Sequence, residues 1–255
     1  MDKTRPVSSA TVVSVSFNTK KLTGLLLWSL DRILEPTDLS VLMVDNGSTD
    51  GTADLLRSAA DAGLCDMILN RTNLGHGPAL NLAIESAIPP SSEWVWVLDS
   101  DCVISRPDAL TAPLGRQRDA AIIGEAKWDP WRRRSRLELY SLLVSRAALD
   151  LRTVSAFSDG GDPAWDMLES AERAGLSVTS FPFTADGYIV HLGRASLAAV
   201  VELDDQTNPL FEWALDHHEP HFGAVDGARD RHATITQQFE REVGPNLDLA
   251  APLRR

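Results

Sequence analysis

Residues 94–101 read Trp-Val-Trp-Val-Leu-Asp-Ser-Asp (WVWVLDSD), an unbroken apolar run that ends in two aspartates flanking a serine. A short run of β-branched and aromatic residues with no polar interruption is a strand buried on both faces, as in parallel sheets. The two carboxylates then fall just past its end. Upstream the same unit recurs: residues 11–17 (TVVSVSF), 41–44 and 67–69 read as further strands. Between the first two, Leu22, Leu25, Leu26, Leu30, Ile33 and Leu34 recur at helical spacing, and Pro36 closes the segment. Ala53, Leu56, Ala59 and Ala60 trace a second helix that stops near Gly63. Leu80, Ala83, Ile84 and Ala87 trace a third, with Pro78 where a first helical turn tolerates it.

Strand–helix alternation of this kind predicts an α/β fold: a Rossmann-like, mostly parallel sheet with helices on both faces. Right-handed crossovers bring every strand-to-helix loop to one edge, and open α/β sheets bind ligands at that edge. The polar clusters fall in those loops: Asn18 after the first strand, Asp45 and Asn46 after the second, Asn73 after the third, Asp99 and Asp101 after the fourth. Topology therefore gathers four distant segments on one rim.

Beyond residue 105 the pattern becomes mixed. Residues 120–124 and 137–144 read as strands joined by a connection rich in Trp and Arg. A helix is expected from Asp162 to Ala174, with Asp162 as N-cap and Pro163 at the first helical position. Residues 177–181 and 188–190 read as short strands. The organisation expected is one domain over 1–204, divided into halves at 10–105 and 106–204, with 205–255 as a C-terminal extension. His217, His218 and His221 lie in that extension; Pro220 breaks any helix there, so they form no helical zinc motif.

The formal charge of −12 argues against a nucleic-acid backbone as partner, because phosphate binding requires a basic face. The one basic cluster, Arg132, Arg133 and Arg134 with Arg136, is local. No apolar run approaches the roughly 18–20 residues of a membrane span. Cys65 and Cys102 lack the spacing of a disulfide scaffold or a zinc site, which fits reduced thiols in a cytoplasm.

Asp99-Ser100-Asp101 can share a hard divalent cation or a ribose hydroxyl, although acidic turns after strands are common. Two further strings accompany it: VDNGSTDGT from Val44, and N-x-G-x-G-x-A-x-N from Asn73 to Asn81. Together with the first strand they resemble the nucleotide-sugar-binding half of family 2 glycosyltransferases of the GT-A fold. The resemblance covers residues 10–105 well and the remainder loosely. It implies that Phe17, Asn18 and Asp45 hold the nucleotide base, and that Asn73 and Gly75 let the backbone approach the donor. It further implies that Asp99 binds ribose or metal and that Asp101 is the direct metal ligand, with Mn²⁺ or Mg²⁺ bridging the two phosphates. A carboxylate at Asp45 suits the imide N–H of uracil or thymine, favouring a UDP- or dTDP-sugar donor. The bland alternatives are turns and caps, and for Asp50 capping is the preferred reading.

Many family members carry a Glu-Asp pair whose Asp is the general base. The corresponding stretch here offers Asp159, Asp162 and Asp166; Asp162 is taken as the base with Asp166 in reserve. His191, after a strand-like Tyr-Ile-Val, is the expected third metal ligand. Trp128, Trp131 and Arg132–Arg134 form either an acceptor loop or packing residues beside a solvated face. The activity implied is metal-dependent, inverting transfer of a single sugar from a nucleotide-diphosphate sugar to an acceptor hydroxyl, with no membrane span. Two rivals remain. A sugar-1-phosphate nucleotidyltransferase shares a similar sheet but calls for a Gly-rich loop after the first strand, where Asn18-Thr19-Lys20-Lys21 has no glycine. A non-catalytic nucleotide-sugar-binding protein would keep the pocket without the base.

Overall fold

The computed structural model describes residues 9–32, 34, 38–129, 133–158 and 162–191. In chain order these form β1 (Ala10–Ser16), α1 (Lys20–Arg32), β2 (Leu39–Asp45), α2 (Thr52–Asp61), β3 (Asp66–Leu69), α3 (His76–Ala87), β4 (Trp94–Leu98) and β5 (Cys102–Ile104). There follow α4 (Thr111–Arg116), β6 (Ile122–Asp129), β7 (Arg134–Ser145), α5 (Arg146–Leu149), α6 (Trp165–Arg173), β8 (Val178–Ser180) and β9 (Ile189–His191). Seven strands make one sheet in the order β3-β2-β1-β4-β7-β6-β8, and β5 pairs with β9 in a separate two-stranded sheet.

The first four strands are parallel, as their apolar sequences require. β1 lies between β2 and β4, with Val12 opposite both Val41 and Trp96. Such a central strand has no solvated face, and every residue of β1 is buried. Alternate side chains feed two cores. Val12, Met43, Trp96 and Leu98 pack with Leu26, Leu30 and Leu56 of α1 and α2 on one face. Val13, Val15, Val44, Val95 and Val97 pack with Ala79, Leu80 and Ala83 of α3 and with Met167 and Leu168 of α6 on the other. The sheet is thus covered on both sides, as the sequence predicts.

The second half is the mixed part. β7 runs antiparallel to β4 and to β6, while β8 pairs parallel to β6. β6 and β7 extend well past the expected strands, because their register continues to Asp129 opposite Arg134 after an irregularity between Gly124 and Ala126. Trp128, Arg134 and Arg136 therefore belong to a hairpin and not to a loose connection. The expected start of α6 is also corrected. Its N-cap is Ala164, in helical conformation with no side-chain cap bond, and the Asp162–Trp165 turn before it is closed by the Trp165 amide donating to the Asp162 carbonyl at 3.1 Å. Asp162 therefore stands two residues before the N-cap, with its Oδ2 bonded to Arg136 Nη1. Ile33, Pro36, Trp131, Arg132, Asp159, His217, His218, His221 and the 205–255 extension lie outside the described residues. No helix of the described residues is long and apolar enough to cross a membrane.

Candidate active site at the carboxyl edge of the sheet

β1, β2, β3 and β4 all end on the same edge, and the loops there are tied to one another by side chains. Asp45, at the last position of β2, is buried; its Oδ2 accepts from the Ser48 amide at 3.2 Å. Its Oδ1 is shielded from solvent and has no hydrogen-bond partner. A buried carboxylate oxygen without a donor is costly unless a ligand supplies one. Within the protein, Asp45 Oδ1 is therefore an acceptor left without a donor.

Its neighbours hold the rim. Asn46 is buried and uses both ends of its amide: Nδ2 donates to Asn73 Oδ1 at 2.8 Å, and Oδ1 accepts from the Leu74 amide at 3.1 Å and from Asn70 Nδ2 at 3.0 Å. Asn73 Oδ1 also accepts from the Gly75 amide at 2.9 Å. Gly75 sits at φ 89°, ψ 159°, a region that residues bearing a Cβ avoid. Asn73 Oδ1 and the Gly75 backbone thus shape the turn, the Gly75 carbonyl also accepting from Asn46 Nδ2 at 3.2 Å. Asn18, at φ 52°, accepts from the Thr49 amide at 2.7 Å and so clamps the second loop, while Phe17 beside it is half-buried. Asp50 bridges two helix starts, accepting from the Lys20 amide and from the Thr52 amide at 2.9 Å each, which is the capping role expected of it.

The aspartate pair lies beyond β4, followed at once by β5. Pairing of β5 with β9 sets Cys102 opposite His191, which places the imidazole beside both carboxylates. His191 Nε2 is 3.4 Å from Asp101 Oδ1 and 3.6 Å from Asp99 Oδ2. On the other side His76, the first residue of α3, brings its Nε2 to 3.8 Å from Asp99 Oδ1. These Nε2 atoms and Asp99 Oδ1 are buried without a hydrogen bond. Burial alone would lower the His191 pKa, but attraction to Asp101 and Asp99 outweighs it and pushes it up to about 10. Burial would raise Asp99; His191 and His76 outweigh that too and hold its carboxyl below the ordinary range. The pocket therefore draws positive charge.

These donors suit a hard divalent cation. An octahedral ion with ligands at about 2.1 Å spaces neighbouring ligands roughly 3 Å apart, and the three side chains already stand close to that. Cys102 Sγ lies within the same 4.8 Å group as Asp101 and His191, yet it is a poor ligand here. Burial, reinforced by Asp101 and Asp99, holds its thiol well above the usual value, and Sγ contacts the Tyr140 carbonyl oxygen at 3.3 Å. Tyr140 in turn stacks on His191, with ring centroids 4.2 Å apart and planes 13° off parallel. Its hydroxyl donates to Glu125, which also accepts from the Thr184 amide at 2.7 Å. A hydrogen-bonded Tyr therefore fixes the plane of the imidazole, as outer partners do in metal sites.

The candidate bases are divided. Asp166 lies in the first turn of α6 and is exposed. Asp162 is mostly covered, and its Oδ2 accepts from Arg136 Nη1 at 2.6 Å. The segment leading to it is anchored against α3. Asn81 makes paired bonds with the Phe157 backbone, donating at 2.7 Å and accepting at 3.0 Å, and the Ser158 amide donates to the Pro163 carbonyl at 2.9 Å. A Cβ on Gly77 would collide with the Ser158 carbonyl oxygen, so this close approach requires glycine. Because backbone cannot swing aside like a side chain, Gly77→Ala is expected to cost about 1–3 kcal/mol, the range of overpacking. Denaturant melts check this; a midpoint shift within error of zero would show that the segment yields freely.

Sequence reasoning gave no role to Asn46, His76, Tyr140 or Glu125. His76 stands inside the N-x-G-x-G string, but its approach to Asp99 joins two segments that no sequence period links. Glu125, Tyr140 and Thr184 come from distant segments and carry no joint sequence signal.

Residues 11–133 match the family model described as Glycosyl transferase family 2. No curated protein matches the chain significantly. Among solved structures, the chain is similar to the mannosyltransferase PcManGT from Pyrobaculum calidifontis in complex with GDP-Man and Mn²⁺. That match has 21% identity and a TM-score of 0.55, covering 94% of this chain and 76% of the other. It is similar to residues 1–349 of S. aureus TarS in complex with UDP-GlcNAc at 19% identity and a TM-score of 0.52, covering 68% of this chain and 56% of that one. Glucosyl-3-phosphoglycerate synthase from Mycobacterium tuberculosis, in complex with Mn²⁺, UDP and glucosyl-3-phosphoglycerate, matches at 17% identity and a TM-score of 0.50 over 76% of this chain and 79% of the other. Residues 11–133, just under half of the chain, thus match the family 2 glycosyltransferase model, and the sheet order together with the likeness to these solved structures gives the chain the GT-A fold.

Proposed function

We propose that the chain catalyses metal-dependent, inverting transfer of a single sugar from a nucleotide-diphosphate sugar, UDP or dTDP favoured, to an acceptor hydroxyl. The observation that carries this reading is the convergence of Asp99, Asp101 and His191 beside the rim that holds Asp45. Asp101 and His191 would hold Mn²⁺ or Mg²⁺, with Asp99 shared between metal and ribose. The ion, when bound, neutralises charge developing on the diphosphate. Two of the structural relatives were solved with Mn²⁺, which supports this part of the reading.

Asp45 takes the imide N–H of the base on its unpartnered Oδ1, and Phe17 borders the ring. Asp162 accepts the proton of the acceptor hydroxyl as its oxygen bonds to the anomeric carbon. On the opposite face the bond from that carbon to the phosphate oxygen breaks, and its electron pair leaves with the diphosphate. Asp166 is the reserve for the base. The acceptor enters over the half beyond residue 105, where Trp128 is 59% exposed and offers a face for stacking.

Thermal stabilisation by a panel of nucleoside diphosphates with Mn²⁺ tests the donor site, since a preferred ligand raises apparent stability by mass action. Nucleoside diphosphate release from the matching donor then separates a transferase from a binding protein. Asp45→Asn is expected to weaken UDP binding about 10- to 100-fold, the value of one charge-assisted hydrogen bond. Calorimetry with UDP and Mn²⁺ reads this; undiminished affinity would remove Asp45 from the base site.

A further inference from the structure

We infer that Arg136 is the positioning residue of the Asp162 base, an inference that rests on the catalytic reading above. β7 carries Arg134, Arg136 and Glu138 at alternate positions and therefore on one face. Lys127 stands opposite Arg136 and Asp129 opposite Arg134 on β6. The turn before α6 and the first turns of that helix close over this face. The Arg134 guanidinium lies 4.2 Å from the centre of the Trp165 ring, and its Nη2 is 3.4 Å from Glu169 Oε1.

Arg136 sits at the centre of this face, facing three carboxylates. Its Nη1 is 2.6 Å from Asp162 Oδ2, its Nη2 is 3.3 Å from Glu138 Oε1, and its Nε is 3.7 Å from Asp129 Oδ2. The side chain of Asp162 is 12% exposed and that of Asp129 is 7% exposed. Among the other described charges of these elements, Lys127 is 3.8 Å from Glu138 and mostly exposed, Arg134 contacts Trp165 and Glu169, Arg173 pairs with Glu169, Glu125 accepts from Tyr140, and Asp166 and Glu172 are exposed. The shortest of the Arg136 contacts goes to the one carboxylate that lies in a turn and not in a strand. That turn closes the segment packed on Gly77, one residue from the His76 that faces Asp99.

Two consequences follow from the chemistry of the pair. A guanidinium stays charged across the working pH range, and its planar fork sets the direction of the carboxylate it binds. Asp162 is therefore kept ionised and aimed. Loss of the guanidinium removes the positive charge 2.6 Å from Asp162 Oδ2, and Asp162 would then take up a proton at higher pH. Arg136 acts through Asp162 and touches no substrate in this account.

The test uses the full chain in three forms, wild type, Arg136→Met and Arg136→Lys. ¹³C NMR follows the Asp162 carboxyl, its signal identified by its loss in Asp162→Asn. Release of nucleoside diphosphate is followed against pH with UDP-glucose, UDP-N-acetylglucosamine, dTDP-glucose and GDP-mannose, each with Mn²⁺. In Arg136→Met the Asp162 titration and the acid limb of kcat/KM are expected to move to higher pH by about one unit or more, the effect of an adjacent arginine on a carboxyl. At pH 6.5 kcat should fall at least tenfold with donor KM within twofold of wild type. Arg136→Lys should restore the limb and only part of kcat. Should Arg136→Met fail to fold, Glu138→Gln is read in its place. Removing a competing carboxylate leaves Arg136 more fully on Asp162, so the limb moves to lower pH. A titration that stays where it was in the folded variant overturns the inference. If that happens while Asp162→Asn still abolishes turnover, Asp162 remains the base and only the role of Arg136 falls. Wild-type turnover by Asp162→Asn removes the base assignment and this inference with it.

Discussion

Asp101→Ala is expected to abolish the dependence of donor binding on Mn²⁺ and to lower turnover by more than about a hundredfold, since outer partners of a metal site alone are worth about 10- to 100-fold. Among the described residues no other aspartate pair stands beside a histidine in this way. Asp101 is buried at 4% side-chain exposure, and its carboxylate is the nearer of the two to His191. Its removal leaves Asp99 and His191 too few to hold a hard cation against water. The protein should nevertheless stay folded. Without Asp101 the imidazole still stands 3.6 Å from Asp99, so His191 and Asp99 remain paired and neither is left as a lone buried charge. Calorimetry with UDP, run with Mn²⁺ and again with chelator, reads the effect. Identical affinities under both conditions in the wild-type protein would end the metal-dependent reading. A variant that keeps the wild-type difference would shift the ligand role away from Asp101.

Asp162→Asn is expected to leave UDP binding intact and to cut turnover at least about a hundredfold, the scale of a lost general base. The amide oxygen can still accept from Arg136, so the turn before α6 keeps its anchor while the proton acceptor is gone. The split between binding and turnover is the informative readout, because damage to the fold would lower both. Asp166→Asn is the paired control. Its side chain is exposed at the start of α6 and its replacement should change turnover little. A reversed outcome, with Asp166 indispensable and Asp162 replaceable, transfers the role of base to Asp166.

The halves of the chain differ in how much their residues declare. β4 was legible to the residue, because a strand buried on both faces has no choice of side chain on either. The place of Asp45 on the rim was legible for a similar reason: a carboxylate that follows an apolar strand marks where that strand ends at the loop edge. Asn18 and Asn73 were legible as positions on the rim. Their side chains turn out to hold the loops, Asn18 on Thr49 and Asn73 on Gly75. Asx side chains serve turns and ligands with the same groups, so spacing alone does not separate the two uses. Asp162 shows the opposite failure. Asp-Pro before an apolar helix is a sound capping signal, yet the helix is capped two residues later at Ala164 and Asp162 Oδ2 meets Arg136 from a distant strand.

What the sequence by itself determined is the parallel half of the sheet, the edge at which its loops meet, and the carboxylates Asp45, Asp99 and Asp101 standing there. Those features follow from local periodicity and from the handedness of crossovers, both of which are written in contiguous residues. Only the tertiary structure decided that β5 and β9 pair to set His191 against the aspartates, that Tyr140 stacks upon it, and that Arg136 engages Asp162. Each of these depends on strands and turns far apart in the chain, brought together by packing. A charge or a ring has no sequence period that announces its partner.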